Sequence, residues 1–97
     1  MNTQLNNKAA KDLFKALASL ETAEECKKFM RDLCTLAELG AMAERWQVVQ
    51  QIDKKIPYRT IAKNTGSSTA TITRIAHWLN HGTGGYRLML KRLSAPE

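Results

Sequence analysis

The chain has 97 residues, which fits one domain over residues 1–97 and leaves little room for a second. It is 43% hydrophobic and 25% charged, and no run approaches the roughly 18 apolar residues a helical membrane span needs, so no membrane partner is expected. The net charge of +6 is either a solvated surface or the footprint of a polyanionic partner. Met1 to Lys15 is polar and charged with no apolar h-region, so no secretory signal is expected and the expected location is cytoplasmic.

A first helix is expected over Asn7 to Ser19, with Leu13, Phe14, Leu17 and Leu20 on one side. Thr22 and Glu25 form a T-x-x-E capping box that should start a second helix, near 22–34. Its stripe is Cys26, Phe29, Met30, Leu33 and Ala37. Thr35 and Glu38 repeat the box, which predicts a break near Thr35. The third helix, near 36–55, carries Leu39, Met42, Ala43, Trp46, Val49 and Ile52 and should end before Pro57. Cys26 and Cys34 are too far apart along one helix to bond to each other, and no C-x-x-C spacing exists. Both read as reduced core thiols of a cytosolic chain.

The segment YRTIAKNTGSSTATITRIAHWL, residues 58–79, has the layout of a helix-turn-helix. Its first helix, about Tyr58 to Thr65, turns Ile61 and the small Ala62 inward, and Gly66 supplies the turn. Ser67 or Ser68 caps the second helix, whose buried stripe is Ile72, Ile75 and Leu79. Ser67, Ser68, Thr69, Ala70, Thr71, Thr73 and Arg74 are left at the start and on the outer faces. Short hydroxyl and methyl side chains let a helix approach base edges. Arg59 and Lys63, one turn apart on the first helix, suit phosphate contact. Gly82, Gly84 and Gly85 mark a turn, and a last helix at 85–93 carries Tyr86, Met89, Leu90 and Leu93, with Ala95 to Glu97 frayed. No segment alternates as a strand, so the class is all-α.

Charge agrees with that reading. Up to Leu39 acids and bases cancel, whereas from Pro57 onward Arg59, Lys63, Arg74, Arg87, Lys91 and Arg92 face only Glu97. A basic excess gathered on one half suits a polyanion, and a solvated basic surface fits the charge equally well; with the helix-turn-helix, double-stranded DNA is the expected partner. His77 and His81 have a spacing that can hold a metal, but no third ligand is recognisable, and none is expected. Trp46 and Trp78 lie on apolar stripes and read as core. No nucleophile, base and acid set or phosphate-cradling glycine loop is visible, so neither catalysis nor a cofactor is expected.

TGSSTATITR, with Gly66 and Ala70-Thr71-Ile72-Thr73-Arg74, resembles the reading head of the tryptophan repressor superfamily. FMRDLCTLAEL, PYRTIAKNTGSSTATITR and LNHGTGGY, in that order, are closest to its YerC/YecD-type relatives. The resemblance runs from Phe29 to Tyr86 and into the last helix, and Met1 to Ser19 carry no matching motif. It implies an intertwined homodimer, with the apolar stripes of the outer helices as dimer core. It also implies that Arg59 holds a phosphate or base while Ser68, Thr69, Ala70 and Thr73 face the groove. Of the two arginines that sandwich the indole in that family, one corresponds to Arg74, but the other falls on Glu44, beside Arg45. Ile75 and Trp78 replace a glycine and a serine of the ligand pocket, so tryptophan sensing is not expected and any effector is unknown.

Three readings follow: a homodimeric transcription regulator, expected to repress; a DNA-binding protein of replication or chromosome structure; and a helical interaction module whose helix-turn-helix only packs.

Overall fold

The computed structural model describes residues 3–94. Among them are six α-helices and no strand: α1 (Lys8–Ala18), α2 (Ala23–Leu33), α3 (Leu36–Asp53), α4 (Tyr58–Thr65), α5 (Thr69–His81) and α6 (Gly85–Ser94), after a 3-10 turn at Thr3–Leu5. The fraying expected of Ala95 to Glu97 lies outside the described residues.

Side-chain caps set most of the helix starts. Asn7 accepts the Ala10 amide at the start of α1. Thr22 Oγ1 accepts the Glu25 amide, and the Glu25 carboxylate reaches back to the Glu21 amide, one residue beyond the ideal box. The second box closes fully: the Thr35 amide donates to Glu38 Oε1 at 2.8 Å and the Glu38 amide to Thr35 Oγ1 at 3.1 Å. The two boxes therefore place the breaks where the sequence predicts them.

The chain, read above as one domain, forms two compact units, Met1–Leu39 and Gly40–Glu97. In the first, neither α1 nor α2 has a single buried residue. Phe14 and Leu33 stay about half exposed although they sit on the expected stripes. Cys26 is exposed and Cys34, the residue after α2, is only partly covered, so the expectation of core thiols is corrected. The stripe that was to bury them has nothing to bury against within its own helices.

The second unit has a true interior. Val48 and Val49 of α3, Ile61 of α4, and Ile72, Ile75 and Leu79 of α5 form one buried cluster. Trp46, Ile52, Ile56, Ala62, Tyr86 and Leu90 pack around it. The inward residues expected of the helix-turn-helix are thus all in or against the core. Trp46 meets Tyr86 with ring centroids 6.3 Å apart. Trp78 does not join them: it is 58% exposed, which corrects its reading as core. Ile72, Ile75, Ala76 and Leu79 already occupy the inward face of α5.

Candidate nucleic-acid interface

Three residues, Gly66, Ser67 and Ser68, connect α4 to α5, and each has a different task. Gly66 ends α4 in the left-handed region at φ 82°, where its amide donates to the Ala62 carbonyl. A Cβ is unfavourable in that conformation, so the turn needs glycine. Ser67 is buried, and its hydroxyl donates to Glu44 Oε2 at 2.8 Å. Ser68 caps α5 by accepting the Thr71 amide at 3.1 Å, and its hydroxyl donates to Thr71 Oγ1 at 3.0 Å. Of the two serines considered as caps, Ser68 is the one used, and Ser67 is turned away from solvent.

The remaining expected site residues lie on α4 and on the first turns of α5, all but Thr71 exposed. Arg59 and Lys63 are solvent-exposed one turn apart on α4. Thr69, Ala70, Thr73 and Arg74 are exposed on the first turns of α5, and Thr71 is half-buried. The Thr73 hydroxyl donates to the Thr69 carbonyl at 2.9 Å, which leaves only oxygen lone pairs for another partner. No such bond engages the Thr69 hydroxyl. Arg59, Lys63 and Arg74 have no ion-pair partner: among the described residues the one ion pair is Lys8–Asp12, on α1. Unpaired cations around short hydroxyl side chains at a helix start can bind phosphate and read bases at once.

Sequence reasoning missed Glu44 as a partner of the turn. The contact spans 23 residues and leaves no local signature. His77 and His81 do face each other, with ring centroids 5.0 Å apart, but no group of three metal-ligating side chains exists among the described residues. Ile75 is in the core, whereas Trp78 lines a cleft of about 590 Å³ with Trp46, Tyr86, Met89, Leu93 and the glycine turn.

An all-helical chain with a helix-turn-helix, a hydroxyl-rich second helix and exposed, unpaired cations on both helices has the build of a DNA-binding regulator. The family model described as Trp repressor protein matches residues 8–94, and the chain belongs to that family, whose members are DNA-binding regulators and not enzymes. It is 37% identical over 94 residues to the uncharacterized protein YerC of Bacillus subtilis (strain 168), covering 97% of this chain and 90% of YerC. The crystal structure of a TrpR-like protein from Eubacterium eligens ATCC 27750 superposes with a TM-score of 0.90 at 36% identity over 99% of both chains. A Trp repressor candidate from Staphylococcus aureus gives a TM-score of 0.85 at 38% identity, over 99% of this chain and 97% of that one.

Proposed function

We propose that the chain is a cytoplasmic, sequence-specific repressor that binds double-stranded DNA as a homodimer. The observation that carries this reading is the exposed start of α5, where the Thr69 hydroxyl is uncommitted, together with the exposed, unpaired Arg59 and Lys63 on α4 and Arg74 on α5. Thr69, Ala70, Thr73 and Arg74 would meet base edges and Arg59 and Lys63 phosphates, with Ser68 and Thr71 shaping the helix start. Ser67, buried beneath the turn, acts on the protein side.

The dimer is supported by the apolar side chains the protomer leaves uncovered. Phe14, Leu33 and Leu36 in one unit, and Trp78, Met89 and Leu93 in the other, are each at least 41% exposed. Large apolar side chains left exposed in each unit of a small chain favour association, and a second copy of this chain is the occupant proposed. A two-fold dimer presents two reading helices to half-sites about one helical turn apart.

No free tryptophan is required in this reading. The cleft beside the reading helix already carries two indoles, Trp46 and Trp78, as part of the chain.

Selection of bound duplexes from a random pool tests the proposal. A short motif with two-fold symmetry is expected, whose affinity falls steeply with salt because phosphate contacts release counterions. Recovery of no common motif would remove sequence-specific regulation, and flat salt dependence would remove DNA binding. Millimolar L-tryptophan should leave the affinity unchanged. A tenfold gain, about 1.4 kcal/mol, would show a working ligand pocket.

A further inference from the structure

Glu44 and Gln51 stand about two turns apart on α3, with fully buried Val48 between them at i+4. Both reach the helix-turn-helix. Asn64 Nδ2 donates to Gln51 Oε1 at 3.0 Å, and the Ser67 hydroxyl donates to Glu44 Oε2 at 2.8 Å. The helix-turn-helix is therefore held to α3 by an apolar contact flanked by two polar ones. Ser67 is the buried polar residue of the described chain, at 6% exposure, and Glu44 satisfies its hydroxyl. Its neighbour Ser68 is the cap of α5. A shift of Ser67 is passed directly to the start of the reading helix.

We infer that Glu44 is a positioning residue of the reading head: through Ser67 its carboxylate fixes the turn, and with it the start of α5, against α3. The inference rests on the DNA-binding reading above. Two roles for this side chain make opposite predictions. As a mere anion near a polyanion, Glu44 repels phosphate, and removing it should tighten binding. As an anchor, its removal loosens the turn, and binding must then also order the head, so affinity falls.

The full-length chain and its Glu44→Ala, Glu44→Gln, Ser67→Ala and double Glu44→Ala/Ser67→Ala variants are titrated on the duplex selected by the unaltered chain, at fixed salt. In parallel, hydrogen exchange is followed without DNA at the amides of Thr71 and Ile72, which donate to the Ser68 hydroxyl and carbonyl. Glu44→Gln keeps an acceptor oxygen and loses the charge, so it should bind at least as tightly as the original chain. Glu44→Ala and Ser67→Ala should each lose about tenfold, and the double variant should lose no more than either, because all three break one bond. Exchange at Thr71 and Ile72 should rise in the alanine variants and not in Glu44→Gln, with helical content retained. Tighter binding by Glu44→Ala, or exchange at these amides unaltered by it, would overturn the inference. Ser67→Ala breaks the same contact from the other side and decides the matter if Glu44→Ala does not fold. If the original chain binds no duplex, the DNA-binding reading falls, and the exchange measurement alone decides whether Glu44 holds the turn.

Discussion

Hydroxyl groups at the start of the reading helix are not equivalent. Ser68 uses its oxygen and its proton within the first turn, and Thr73 gives its proton to the Thr69 carbonyl. Thr69 alone among these three keeps both a donor and an acceptor for a base edge. Thr69→Ala should therefore weaken binding to the selected duplex by ~1–3 kcal/mol and affect random duplex far less. Thr73→Ala should have a smaller effect, because its hydroxyl has already given its proton to the Thr69 carbonyl and can only accept. Lys63→Ala should weaken both duplexes alike and reduce the salt slope by about one. Equal losses on both duplexes for Thr69→Ala would remove its reading role. The residues of this region were legible from their chemistry, but not the division of labour. Ser67 and Ser68 are equally good caps in sequence, and the choice depends on Glu44 lying 23 residues away. Trp78 misled for a related reason: a large apolar side chain on a helical stripe looks internal until the inward positions are seen to be filled by Ile75, Ala76 and Leu79.

Helix boundaries show which local rules suffice. The T-x-x-E pairs at Thr22 and Thr35 are visible in sequence because each cap and its partner lie within one turn. The end of α3 is different. The Ile56 amide donates to the Gln51 carbonyl and the Lys55 amide to the Ile52 carbonyl, a Schellman ending with Lys55 at φ 62°. A lysine in the left-handed region gives no warning in the sequence, where glycine is the usual sign. Relieving the left-handed conformation gains ~1–2 kcal/mol, and the extra freedom glycine gives the unfolded chain offsets roughly 0.5–1 kcal/mol of it. Lys55→Gly should accordingly raise stability by about 0.5–1 kcal/mol, while Gly66→Ala should lower it by about 1 kcal/mol, both read from denaturant midpoints. At the other end of α3, the Thr35 backbone amide, and then the Thr35 side chain, hold the Glu38 carboxyl below the usual carboxylate range. A lowered folded-state pKa means the contribution is complete above the ordinary value, ~4.3, and disappears as pH falls through the lowered one. Acidification should thus loosen the start of α3, and Glu38→Gln should remove that part of the pH dependence. An identical acid profile for the variant would show that titration of the Glu38 carboxyl contributes nothing to the acid dependence of stability.

At the scale of the molecule, the two units differ in what they can bury alone. The interior runs from Val48 to Leu79, and α1 and α2 contribute no buried residue. The proposed dimer should sediment at twice 10.9 kDa at micromolar concentration. Phe14→Glu and Leu33→Glu should shift it toward the monomer, because each places a charge on the stripe assigned to the second copy. A chain that sediments only as a monomer would sink the assembly. The same division bears on how the protein is made. Synthesis delivers residues 1–39 first, before the segment that holds the interior has left the ribosome. Their apolar stripe then has nothing of its own to collapse onto. Residues 40–97 can condense in a first-order step once complete, whereas in the proposed dimer the amino-terminal helices would wait for a second chain. Their ordering would then be a collision-limited event whose rate rises with the number of copies present, and that interval would be when the young chain is most exposed to aggregation and to proteases.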